Sequence, residues 1–108
     1  YERSYDATVN HTAETNFLRT QAVQFAGVEN VTDLDQPQMG SEDFTYMLQA
    51  CPGCYFFIGT ASTPDASSLH HPGYDFNDEI LPIGAGFWTQ LTEAFLAPEK
   101  PYTSDTRR

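Results

Sequence analysis

Between Thr12 and Ala26, the apolar residues Leu18, Ala22 and Phe25 share one face at the helical period. This predicts a helix capped by Asn10 or Thr12 and closed by Gly27. Val28 to Leu34 is short and β-branched and reads as a strand, which the polar run Asp33 to Gln38 around Pro37 breaks. A second helix is expected from Ser41 as N-cap, with Glu42 and Asp43 in the dipole-favoured first turn. Its apolar stripe is Phe44, Met47 and Leu48, and it stops before Pro52. Cys54-Tyr55-Phe56-Phe57-Ile58-Gly59-Thr60 is continuously apolar and bounded by turn residues, the pattern of a central strand covered on both faces. Ala61 to Ser68, small and polar with Pro64, reads as a loop. Ile80, Ile83, Phe87, Leu91, Ala94 and Phe95 then recur at the helical period. Asp78 or Asn77 can cap that helix, Pro82 is tolerated in its first turn, and Pro98 ends it.

The order helix, strand, helix, strand, helix is that of an α/β layer fold. Two strands make too narrow a sheet to shield a run as apolar as residues 54 to 60, so an incomplete sheet is expected, its other strands supplied from elsewhere. At 108 residues the chain can make at most one compact unit. It starts at Tyr1, so the natural N-terminus is expected to be processed or missing. The polar stretch Glu99 to Arg108 reads as a loose tail.

Charge narrows the function classes. Fifteen acidic residues against five basic ones give a formal charge of −10, which repels phosphate backbones and anionic membrane surfaces. Nucleic acid and membrane are therefore not expected partners. No apolar run approaches the roughly 18 residues of a spanning helix, and the compartment stays open, with the cytoplasm favoured.

Cys51-Pro52-Gly53-Cys54 has the spacing of a redox pair or half a zinc site, but lacks a second ligand pair. The tight-turn reading of Pro-Gly is the expectation. Asn10-His11-Thr12 matches a glycosylation acceptor by chance. More chemistry gathers in His70-His71-Pro72-Gly73-Tyr74-Asp75-Phe76-Asn77-Asp78-Glu79, where two imidazoles and several carboxylates follow a predicted buried strand. Imidazole is a common donor to zinc, manganese and cobalt, and adjacent histidines point apart, so only one of the pair is expected to bind. Read from the residues alone, a loop histidine is more often structural.

The blocks Met39-Gly40-Ser41-Glu42-Asp43-Phe44, Pro52-Gly53, Phe56-Phe57-Ile58-Gly59 and Leu69 to Glu79 shift that balance. Together with Tyr5, Thr8-Val9-Asn10 and Leu81-Pro82-Ile83-Gly84-Ala85, they resemble the aminoacylase and hippurate-hydrolase branch of the dinuclear-metal amidohydrolases and peptidases. The resemblance implies a partial three-layer α/β zinc-peptidase-like catalytic domain. Residues 1–9 would end the last strand of an inserted lid (dimerisation) domain, residues 10–98 would form the C-terminal catalytic segment, and residues 99–108 the tail. It implies that His70 is the last metal ligand, that His71 is a neighbour, and that no catalytic residue lies within this segment. Two divalent ions of the zinc, manganese or cobalt class would occupy a complete site. Asp75, Asp78 and Glu79 would be candidates to orient the His70 ring; Glu42 and Asp43 would lie toward the substrate, with Tyr74 and Phe76 near an acyl pocket. The implied whole enzyme cleaves N-acyl or N-aroyl amino acids and possesses a lid through which copies can assemble, while this segment alone is inactive. A non-catalytic binding module is the alternative, and a thiol redox protein a third.

Overall fold

The structure, a computed structural model, describes residues 4–61, 63 and 65–97. Helix α1 spans Thr12–Ala26, a single 3-10 turn Val28–Asn30, α2 Phe44–Ala50 and α3 Ile80–Leu96. Pro64, Pro98, the tail and Tyr1–Arg3 of the expected lid strand lie outside the described residues.

Helix α1 begins after His11, whose carbonyl accepts from Thr15 N–H at 3.0 Å and Thr15 Oγ1 at 2.8 Å. Neither Asn10 nor Thr12 caps it. Gly27 closes the helix as expected, at φ 89°, with its N–H donating to the Val23 carbonyl at 3.0 Å. This left-handed region excludes most side chains, which is why glycine stands there. The chain then turns through Val28–Asn30, and Asn30 Nδ2 returns to the Ala26 carbonyl at 2.9 Å. The strand expected over residues 28 to 34 is thus replaced by a 3-10 turn that satisfies the end of α1.

Helix α2 starts at Phe44 rather than at Ser41 because the Glu42 carboxylate takes the Phe44 N–H at 3.1 Å, giving the first turn an acceptor from inside the acidic pair. It ends at Ala50, before Pro52 as expected, with Cys51 N–H on the Met47 carbonyl at 2.9 Å. Residues 4 to 10 run beside α2. Thr45, only 1% exposed, donates from Oγ1 to the Ala7 carbonyl at 3.1 Å, Tyr5 and Tyr46 lie 5.8 Å apart, and the Tyr46 hydroxyl donates to the Ser4 carbonyl.

No strand occurs among the described residues, including residues 54–60. A strand is defined by its ladder, and this chain supplies only the beginning of one. His11 N–H donates to the Gly53 carbonyl at 3.1 Å. The Asn10 side-chain amide then acts as the next rung, accepting from Tyr55 N–H at 2.7 Å and donating to the Tyr55 carbonyl at 2.8 Å. Beyond Tyr55 no neighbouring backbone among the described residues continues the pairing.

Helices α1 and α3 pack antiparallel. Phe17 meets Phe95 at 6.0 Å, Gln90 Nε2 reaches the Gln21 carbonyl at 3.1 Å, and Phe25 meets Phe87 at 5.5 Å. Phe87, 5% exposed, also receives Phe56 edge-on at 5.6 Å, and Leu48 is the other buried apolar residue among those described. Trp88 meets Phe56 in a tilted contact at 5.5 Å and stays 54% exposed.

Candidate functional site

The segment carrying His70 is tied at both ends. Ser68 to His71 forms a turn closed by His71 N–H on the Ser68 carbonyl at 3.1 Å. The next turn is closed by Tyr74 N–H on the His71 carbonyl at 2.9 Å. His70 sits in the first turn at φ 66°, the only non-glycine residue with positive φ among those described. Histidine enters this left-handed region more readily than branched residues, yet it remains a conformation that surrounding structure must hold in place. The His70 side chain is exposed and neither ring nitrogen has a hydrogen-bond partner among the described residues. His71 is engaged, with Nδ1 accepting from Gly73 N–H at 3.0 Å.

The loop is fastened to the end of the 54–60 segment through Thr60. The Tyr74 hydroxyl lies 3.2 Å from Thr60 Oγ1, and Asn77 Nδ2 donates to the Thr60 carbonyl at 3.2 Å. Asn77 Oδ1 meanwhile accepts from Glu79 N–H at 3.1 Å, a turn just ahead of α3, whose N-cap position is held by Glu79 without a side-chain bond, so neither Asn77 nor Asp78 caps the helix as expected. Tyr74 and Phe76 contact each other edge-to-face at 5.0 Å, with Phe76 79% exposed. Asp75, Asp78 and Glu79 are exposed, and their carboxylates make no hydrogen bond among the described residues.

Glu42 is placed elsewhere, bridging α2 to the apolar segment. Its carboxylate accepts the Phe44 N–H and, at 2.9 Å, the Tyr55 hydroxyl. Those two donors hold its pKa below the ordinary carboxylate value, the backbone N–H being the larger cause. The same bond raises the Tyr55 phenol above its ordinary value, with burial adding to it. Asp43 is exposed and begins α2 without a side-chain capping bond.

Cys51 is exposed and Cys54 partly buried, and both are free thiols. Thr15 Oγ1 lies 3.6 Å from Cys54 Sγ, and the Pro-Gly corner between the cysteines is pinned by His11, whose Nδ1 accepts from Gly53 N–H at 3.2 Å. No group of three or more histidine, cysteine, aspartate or glutamate side chains is close enough to hold a metal among the described residues. No helix among them is long and apolar enough to cross a membrane. The side chains this loop leaves open, the His70 imidazole and the Asp75, Asp78 and Glu79 carboxylates, are of donor types that zinc-class ions accept.

In the sequence Thr60 reads as the end of an apolar run and Asn10 as a helix cap, neither as an anchor for a distant segment. Each acts on a partner distant along the chain, Tyr74 and Tyr55 respectively, and no local pattern marks such a pair.

Residues 1–94 match the model of peptidase family M20/M25/M40. The chain belongs to this family. It is 47% identical over 83 residues to a Bacillus subtilis protein named "Putative amidohydrolase YhaA", covering 75% of this chain and 21% of that one. An Arabidopsis thaliana protein named IAA-amino acid hydrolase ILR1-like 4 is 36% identical over 102 residues, or 92% of this chain and 23% of the relative. Thermostable carboxypeptidase 1 of Saccharolobus solfataricus is 30% identical over 98 residues, or 89% and 23%. The chain spans about a fifth of the length of the curated relatives it matches. No solved structure matches it.

Proposed function

We propose that this chain is the late catalytic segment of a metal-dependent amidohydrolase acting on N-acyl or N-aroyl amino acids. Within it, His70 donates one ligand to a dinuclear site completed by other segments. The observation that carries this reading is His70 itself. It is an exposed imidazole with both nitrogens open, set at positive φ in a loop fastened at Thr60, within a chain whose family includes relatives named for amidohydrolase and carboxypeptidase activity. Metal ions of the zinc, manganese or cobalt class supply Lewis acidity toward an amide carbonyl and toward water. The work of this chain is to hold and orient: His70 binds through one ring nitrogen, and Asp75, Asp78 or Glu79 is the candidate carboxylate to receive the other ring N–H. Glu42, engaged on both sides, holds α2 to the segment beneath it, and Asp43 at the exposed start of α2 remains toward the substrate side.

In this reading the 54–60 segment becomes a strand of an α/β sheet once neighbouring strands continue the rungs begun by His11 and Asn10. The amino-terminal residues lead in from a lid domain through which copies assemble. The test is hydrolysis of a panel of N-acyl and N-aroyl amino acids by the full-length enzyme. Amide cleavage abolished by a chelator and restored by added metal is expected; cleavage indifferent to chelation would overturn the proposal.

A further inference from the structure

We propose that Thr60, Tyr74 and Asn77 form a clamp that positions His70 for metal binding; the inference rests on His70 being a ligand. His70 is the third residue of the Ser68–His71 turn, a position where positive φ is accommodated, and that turn sets its local conformation but not its place relative to the body of the chain. A short exposed turn keeps a fixed place only if its flanks are tied to that body. The upstream flank is fixed by the Ser68–His71 turn. Downstream, the two groups that tie the loop to the body converge on one residue, the Tyr74 hydroxyl on Thr60 Oγ1 at 3.2 Å and Asn77 Nδ2 on the Thr60 carbonyl at 3.2 Å. Asn77 uses its remaining oxygen on Glu79 N–H, so a single amide fixes the loop both to Thr60 and to the first turn of α3. Thr60 in turn is the last residue of the aromatic segment whose Phe56 packs on Phe87, the buried residue of α3. The position of His70 is thereby referred to the Phe56–Phe87 contact.

These are positioning residues, since none of them offers a donor atom to the metal in this arrangement. Removing a net hydrogen bond shifts an equilibrium roughly two- to tenfold, and the clamp places that shift on metal retention. In the full-length holoenzyme, Tyr74→Phe and Thr60→Val are each expected to accelerate chelator-driven loss of one metal equivalent by about that factor. The double variant should be no faster than either single one, because the two hydroxyls form one bond. Thr60→Ser, which keeps the hydroxyl, should restore wild-type retention. His70→Ala serves as the reference and should lack that equivalent altogether. Wild-type retention in Tyr74→Phe and Thr60→Val, alongside a His70→Ala protein lacking the metal, would overturn the clamp while leaving the ligand assignment standing. Full metal content in His70→Ala would remove both.

Discussion

At the scale of single residues, the contacts that hold this chain together are side chains acting as backbone surrogates. Thr45 is the clearest case. Buried at 1% exposure, its hydroxyl is the donor that satisfies the Ala7 carbonyl. Thr45→Val keeps the shape and removes the donor, so a loss of about 1 kcal/mol is expected in denaturant unfolding of the full-length protein. Tyr55 and Glu42 give a pH signature. The Glu42 carboxylate, with its pKa depressed in the folded state, contributes stability above its unfolded value that is lost as pH falls through the folded value. The Tyr55 phenol is raised, so its contribution is present below the unfolded value and lost as pH rises through the folded one. The Tyr55–Glu42 hydrogen bond is the main source of the alkaline limb but the smaller source of the acid one, the Phe44 N–H being the larger, so Tyr55→Phe should flatten the alkaline end and only reduce the acid end. A profile parallel to wild type at both ends would contradict this.

At the scale of elements, two glycines make opposite predictions. Gly27 sits at φ 89°, where an added Cβ would also strike the Glu29 carboxylate, so Gly27→Ala should destabilise by about 1–2 kcal/mol. Gly86 lies inside α3, where a Cβ would meet the Phe25 ring at 3.4 Å, ordinary packing distance. Gly86→Ala should be neutral or stabilise by up to about 1 kcal/mol through helix propensity. Thermal unfolding of the two variants checks both signs. Helices α1 and α3 were legible in the sequence because their stabilising period is internal to each segment, as in the Ile80 to Phe95 stripe. The end of α1 at Gly27 was legible for the same local reason. The Ser41 cap was misplaced because Glu42, a residue inside the expected first turn, bonds the Phe44 N–H instead. The two expected strands were not realised because a strand depends on what lies beside it. Val28 to Asn30 found a better partner in the end of α1, and among the described residues the backbone of 54–60 is met by side chains such as Asn10 and Asn77 rather than by a neighbouring strand.

At the scale of the whole molecule, the apolar material exceeds what the chain covers. Leu48 and Phe87 are the buried hydrophobic residues among those described, while Phe57, Ile83, Trp88 and Leu81 stay about half exposed or more. Such an apolar surface is what a sheet and helix layer present when their neighbours come from other segments. The described residues likewise bring together no group of three or more histidine, cysteine, aspartate or glutamate side chains that could hold a metal. His70 was legible only through the ordered blocks around it. Its open ring and positive φ are structural facts that no periodicity could show, and the Thr60 attachment depends on contacts across 14 and 17 residues. The most direct test of His70 as a metal ligand is the metal content of the full-length enzyme and of its His70→Ala variant, each purified folded and measured by elemental analysis. The variant is expected to carry one equivalent fewer and to lose hydrolysis with it; an unchanged metal count would contradict the assignment.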